Sequence, residues 1–256
     1  MTTHDLIKKY LYDCIYSSVC VEGLGMTYPQ TRSILDGHPA EGVTTDGVMF
    51  VVNMKRAWKF LEDNSDYPVN IMLLREYNKI CGYGLINECG NIRTGIVRIT
   101  GTEYVSPMPD VVSISTELKS LGALADPIEE AIKCFMYVAK AQIFNDGNKR
   151  TAQMVANHIL VSHNCGILKI PDVRVEKFTD ALIDHYEGRS SGLYNYLLEE
   201  CVIKSSDPEY VEYGSDKFTV DEICNYLPPF VVNRYVDRRT CAEEHVGEYV
   251  RVLKGE

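Results

Sequence analysis

The chain has 256 residues and a formal net charge of −10, with 45% hydrophobic, 10% aromatic and 24% charged residues. That balance excludes a fibrous or low-complexity chain and allows one large domain, or a main domain with a small appendage, to bury a substantial core. The negative charge disfavours nucleic acid and anionic lipid as partners, because no basic run is long enough to offset it. No stretch of about 18 apolar residues is present to span a membrane. The N-terminal MTTHDLIKKYLYDC lacks the uninterrupted apolar run of a secretory leader, so a cytoplasmic location is expected. Nine cysteines, an odd number without any CxxC pair, read as reduced thiols rather than as a zinc site or a disulfide framework.

In chain order, Leu6, Ile7, Tyr10, Leu11, Cys14 and Ile15 form a helical stripe within residues 4–21. GLGMTYPQT reads as a loop, and Thr31 to Leu35 as a short helix stopped by Asp36 and Gly37. Residues 47–63 place Phe50, Val51, Met54, Ala57, Trp58 and Leu61 on one face of a helix, with Trp58 in the core. A further helix over 69–81 ends at the glycines of GYGLI. GIVRITGTEYVSP, residues 95–107, alternates with period two about a central glycine and predicts a β-hairpin. Asp126-Pro127-Ile128-Glu129 marks a helix start, an N-cap acid followed by proline, and this helix runs into Gln142. A buried helix containing Met154, Val155, Ile159 and Leu160 ends at Asn164 to Gly166. ILKIP suggests a short extended piece, and VEKFTDALIDHYEG and SGLYNYLLEECVIK suggest helices. From Ser205 a polar, acidic linker precedes a capping box at Thr219 to Glu222, the segment LPPF and a last amphipathic run.

Between two of these helices lies QIFNDGNKRTA, residues 142–152. A helix that starts after a tight polar turn presents unpaired amides and the positive end of its dipole. Gly147 allows close backbone approach, Lys149 and Arg150 add full charges where the dipole mildly disfavours them, and Asp146 is a hard oxygen ligand suited to Mg²⁺. These features fit an anion cradle, and they fit equally a solvated corner capped by Asp and Asn.

The full string resembles the core of Fic-domain proteins, whose motif reads His-x-Phe-x-(Asp or Glu)-Gly-Asn-Gly-Arg-x-x-Arg; Phe144, Asp146, Gly147, Asn148 and Arg150 fall in register with it. The resemblance extends over about residues 27–200, through LREYNKICGYGL, NIRTGIVRITGTEYVSPMP and DPIEEAIKCFMYVAKAQIF. It implies a mainly α fold, a Fic-type helical bundle with one β-hairpin flap, plus a small C-terminal appendage. The implied boundaries are 1–64 for N-terminal helices, 65–204 for the Fic-like core and 205–256 for a linker and small C-terminal segment. The implied reaction moves AMP from ATP to a Ser, Thr or Tyr hydroxyl of a target protein. Asp146 would hold Mg²⁺. Asn148 and the amides from Gly147 to Arg150 would cradle phosphates, and Arg150 would neutralise transition-state charge. Phe144 would anchor the core. Flap residues Arg98, Ile99, Thr100, Gly101, Thr102 and Tyr104 would bind an extended segment of the target by adding a strand.

Several positions depart from the family pattern. Gln142 stands where the motif has its His general base, which an amide cannot replace at neutral pH. Lys149 and Gln153 resemble the Doc branch, whose NKR loop transfers the terminal phosphoryl group instead. A catalytically inactive nucleotide-binding protein acting in regulation is the alternative that Gln142 raises, and a small interaction or DNA-contacting module over 206–256, with the Fic-like part regulatory, is another. The resemblance further implies a toxin-like protein with an antitoxin-like or self-inhibitory partner. The inhibitory pattern Ser/Thr-x-x-x-Glu-Gly/Asn finds its nearest candidate in TRSILDG, near 27–37, with Asp36 in the acid's role facing Gln153. His158 and His163 are five apart, the wrong interval for one helix face, and are not expected to share a metal.

Overall fold

The computed structural model describes residues 2–189, 192–205, 210–214, 216–232 and 238–254. The chain divides into two compact units, Met1–Ser205 and Ser206–Glu256. The first contains α1 (Thr3–Val21), α2 (Tyr28–Leu35), α3 (Thr45–Asp63), α4 (Ile71–Gly82), α5 (Val111–Leu121), α6 (Pro127–Ala141), α7 (Asn148–Ser162), β1 (Gly166–Leu168), α8 (Val175–Tyr186), α9 (Leu193–Tyr196) and β2 (Val202–Lys204). The helices start where local chemistry supplies a cap. Thr2 and Asp5, and likewise Thr27 and Gln30, form reciprocal capping boxes, and Asn70, Asp110 and Asp126 accept from the first free amides of α4, α5 and α6.

Helix α7 is the axis of this unit and packs against α6, α4, β1, α1 and α3. Every residue from Arg150 to Leu160 is buried, so its polar residues must find partners inside the protein. Asn157 does so by pairing with both backbone groups of Leu168 at 2.8 and 3.0 Å, which fastens β1 to the helix. His158 bonds Tyr77 Oη at 2.8 Å through Nδ1 and the Tyr67 carbonyl at 2.7 Å through Nε2. Strands β1 and β2 pair antiparallel, Gly166 opposite Lys204. A Cβ at Gly166 would lie 2.4 Å from the Ile203 carbonyl oxygen, so this crossing accepts only glycine.

The second unit contains the antiparallel hairpin β3 (Tyr210–Tyr213) and β4 (Asp216–Thr219), followed by α10 (Val220–Tyr226), α11 (Pro229–Val232) and α12 (Arg238–Lys254). Its own core joins Val211, Ile223, Cys224, Cys241, Ala242, Val246 and Val250. The fold is therefore mainly helical with small antiparallel β pairings.

Three expectations differ from the structure. Residues 95–107 do not pair as strands; they form an irregular loop with a turn at Thr100 and Gly101. A lone two-stranded hairpin is marginal without a face to bury, and here Ile96 is 73% exposed while Pro107 and Pro109 remove donors. The loop GLGMTYPQT turns helical from Tyr28, because Thr27 caps it and Pro29 sits in its first turn. The polar stretch after Ser205 contains the β3–β4 hairpin rather than only a linker. Helix α5 was not expected at all: its β-branched residues give no clear helical stripe in the sequence.

Candidate functional site

The loop between α6 and α7 is built to hold an unusual backbone. Gln142 closes α6 in the left-handed region at φ 45°, ψ 58°, a conformation that strains a non-glycine residue. Three contacts fix it: its Nε2 donates to the Ala139 carbonyl (2.6 Å), its Oε1 accepts from Asn148 Nδ2 (3.1 Å), and its carbonyl accepts from Arg93 Nε (2.5 Å). Phe144, 1% exposed, pins the loop to the core. Asn148 Oδ1 accepts from the Phe144 amide and its Nδ2 donates to the Phe144 carbonyl, at 3.0 and 2.9 Å. The side chain of Asn148 is thus occupied in stapling the loop, while its backbone amide has no partner among the described residues.

Gly147 sits at φ 76° and precedes α7 without a side-chain cap. A Cβ there would meet Asn78 Nδ2 and Ile86 Cδ1 at 3.0 Å, so space and backbone angle both demand glycine. The Gly147 amide is taken by Asp146 Oδ1 at 2.6 Å. Among the described residues the amides of Asn148, Lys149 and Arg150 have no acceptor. They are the positive end of α7.

The side chains of Lys149 and Arg150 meet a carboxylate that the sequence reading passed over. Glu22 Oε1 lies 3.7 Å from Lys149 Nζ and 3.8 Å from Arg150 Nε. Glu22 immediately follows α1, and with Ser18 and Val21 it lines a narrow crevice, filled by side chains, beside Lys149, Arg150 and Gln153. Arg150 is buried: Nη1 donates to the Cys81 carbonyl (3.3 Å), Nη2 lies 3.4 Å from Asp146 Oδ2, and the guanidinium rests 5.6 Å over the Phe50 ring. Its Nε has no hydrogen-bond partner, and neither does Nε2 of buried Gln153. Gln153 Oε1 accepts from Ser18 Oγ at 2.9 Å. The neighbouring Cys81 thiol is pushed up to about 12 by burial, which Arg150 only partly opposes, so it is no nucleophile.

Asp36 takes no part in this cleft. Its carboxylate accepts from Tyr12 Oη at 2.6 Å and lies 3.6 Å from Arg32 at the end of α2. The partner of Gln153 is Ser18, not Asp36. The signal was present in the sequence: Ser18-Val19-Cys20-Val21-Glu22-Gly23 fits the inhibitory pattern without a change of spacing. It was masked because it reads as the last turn of an amphipathic helix.

Asp146 is exposed beside Arg150, its side chain 66% accessible. Among the described residues no group of three His, Cys, Asp or Glu converges on a metal position. Of the loop residues, Arg98, Thr100 and Gly101 are exposed. Thr102 Oγ1 donates to Glu187 at 2.9 Å, and the Tyr104 ring lies parallel to Tyr186 at 6.2 Å. The loop therefore leans on the end of α8.

Residues 69–160 match the Fic/DOC family model. That stretch of the chain is therefore similar to the Fic/DOC family. It is 24% identical over 210 residues to "Protein adenylyltransferase Fic" of Drosophila yakuba, covering 78% of this chain and 42% of that protein. It is 28% identical over 165 residues to the protein of the same name from Aedes aegypti, covering 60% and 33%. The chain thus spans less than half the length of these curated relatives. Among solved structures, Fic-1 (aa134–508) from C. elegans superposes with a TM-score of 0.62 at 23% identity, over 75% of this chain and 59% of that one. A Fic family protein from Desulfovibrio desulfuricans G20 gives 0.62 at 19%, over 76% and 62%. At these identities the structural likeness speaks for the Fic fold. No helix of the described residues is long and apolar enough to cross a membrane.

Proposed function

We propose that this Fic-family chain binds ATP with Mg²⁺ at the start of α7, transfers AMP to a Ser, Thr or Tyr hydroxyl of a target protein, and is held off by its own Glu22. One observation carries the reading: the cations of Lys149 and Arg150, at the start of a helix whose first amides are unpaired, converge on the Glu22 carboxylate, which marks an anion seat. The printed names of the curated relatives support AMP transfer. Nine cysteines, none of them in a disulfide among the described residues, support a reducing, cytoplasmic setting.

The hydroxyl oxygen of the target attacks the α-phosphorus, the bond to the β-phosphate oxygen breaks, and pyrophosphate leaves. The amides of α7 and Arg150 hold phosphate oxygens as charge grows on the leaving side. Asp146 is suited to be the single protein carboxylate of an ion that otherwise takes phosphate and water oxygens, as Mg²⁺ does. Bound there, Mg²⁺ supplies charge neutralisation across the phosphates. Gln142 cannot accept the hydroxyl proton, which passes to solvent, and the reaction is correspondingly slow. The loop over 98–104, which makes no backbone-to-backbone hydrogen bond among the described residues, is suited to receive an extended target segment. Self-inhibition follows from Glu22 occupying the seat that a phosphate needs, so the inhibitory group comes from the chain itself rather than from an antitoxin-like partner.

Two observations favour narrower alternatives. Lys149 sets an ammonium where the family motif has glycine, which favours transfer of the terminal phosphoryl group. The side chain of Gln142 is turned into the loop and fully engaged, which favours a nucleotide-binding regulator without transfer. Incubating the Glu22→Gly variant with Mg²⁺ and ATP labelled at the α or the γ phosphate, in cell lysate, separates all three. The α label on protein supports AMP transfer, the γ label supports phosphoryl transfer, and no label together with retained ATP binding leaves the regulator.

A further inference from the structure

Arg93 is a buried cation whose neighbours are carbonyls. It is 2% exposed, and among the described residues no carboxylate lies within ion-pair distance. Its Nε donates to the Gln142 carbonyl (2.5 Å), Nη1 to that of Gly95 (2.6 Å), and Nη2 to those of Ser106 (3.2 Å) and Pro107. Its backbone amide donates to the Ile143 carbonyl at 3.1 Å. One residue thus touches both ends of the 95–107 loop and both residues that follow α6.

The middle of the loop rests on α8 through Thr102 and Tyr104, but its base has little besides Arg93 to hold it. Among the described residues no backbone-to-backbone hydrogen bond ties residues 94–109 to the rest of the protein, and the remaining anchor at the loop's exit is Ser106 Oγ, which donates to the Ala141 carbonyl at 2.7 Å. A planar fork with five donors can bridge carbonyls from separate segments, and a lysine cannot. A buried charge without an acid is a costly way to fill a core, so its use here points to a geometric task. Gln142, held left-handed, is where that task is needed.

We infer that Arg93 is a positioning residue that locks the base of the target-facing loop to the strained Gln142 carbonyl, so that an incoming hydroxyl meets the α7 seat in one register. The consequence for transfer rests on the transferase reading given above; the coupling itself does not. Arg93→Lys keeps the charge and loses the fork, and Arg93→Gln serves as a second variant should the lysine fold poorly. With the full chain and trypsin, cleavage after exposed Arg98 should speed up about tenfold or more, as expected when several hydrogen bonds to a charged donor are lost, while cleavage in α1 and α3 keeps its wild-type rate. In the Glu22→Gly background, KM for the target should rise about tenfold with kcat less affected, and the Kd for ATP should stay within about twofold, because the α7 amides are untouched. An unchanged rate after Arg98, an equal rise at the α1 and α3 sites, or an ATP Kd that rises in step with KM overturns the inference. If the parent transfers nothing, the transferase reading falls alone, and proteolysis still decides the coupling.

Discussion

Removing the Glu22 carboxylate is the perturbation that the geometry makes most quantitative. Its oxygen sits 3.7 Å from Lys149 Nζ and 3.8 Å from Arg150 Nε, distances at which each direct attraction is about 4 kcal/mol at an effective dielectric of 20. Glu22 is one-fifth exposed and Lys149 more than one-third, at 20% and 36%, so solvent screening and desolvation reduce the net restraint. A net value of about 1–3 kcal/mol is reasonable for such a partly buried cluster. A triphosphate must displace this carboxylate to reach the same cations, so its removal should tighten ATP binding by about 10- to 100-fold. Calorimetry with Mg²⁺ and ATP on the wild type, Glu22→Gly and Glu22→Gln measures this. The glutamine variant keeps the bulk and loses the charge, and it should recover most of the gain. Added KCl should narrow the difference. Equal or weaker binding in both variants would refute the reasoning, since Glu22 would then support the seat instead of filling it.

Gln142→His, tested on the Glu22→Gly background by label incorporation, should raise transfer by about 10²- to 10⁴-fold through a restored general base; a flat response from an undetectable start would leave the transferase reading without its main support. Asn148→Ala removes the staple on Phe144 and Gln142 and should lower stability by about 1–3 kcal/mol in urea titrations, because buried partners lose their bonds. His158 is lowered from its ordinary 6.5 by burial, against a smaller opposing effect of the Tyr67 carbonyl. The unfolded chain therefore takes up the proton first as pH falls. The contribution of His158 to stability is complete above about pH 6.5 and declines as pH drops through that value toward the folded pKa. Urea midpoints should fall from pH 7 to 5.5, and His158→Gln should flatten part of that slope.

Features encoded by neighbours in sequence were legible. Asp126 and Pro127 start α6, Thr219 and Glu222 cap α10, and Phe144 anchors the loop, each because the partner lies within a few residues or because one apolar face suffices. The loop over 95–107 was misread because its inward residues, Ile99 and Tyr104 among them, pack against the rest of the unit and not against a paired strand, and its base is shaped by the Arg93 side chain, to which period-two counting is blind. Glu22 escaped for a related reason. Its significance lies in cations on α7, and the neighbouring bond from Lys149 to the Val21 carbonyl spans 128 positions in sequence. Asp36 was preferred because it ends a visible helix, yet its partners are the local Arg32 and nearby Tyr12. That Gly147, Lys149 and Arg150 gather at the start of α7 was readable; the carboxylate beside the two cations was not.

That occupant changes how ligands should be sought. Arg150 is 6% exposed and keeps a counterion whether or not a nucleotide is present. In the proposed reading, loading is an exchange of one anion for another, and the melting temperature reports only the difference between them. Thermal-shift screening of the wild type will under-report true ligands, whereas the same screen on a chain relieved of its internal acid will reveal them at full strength.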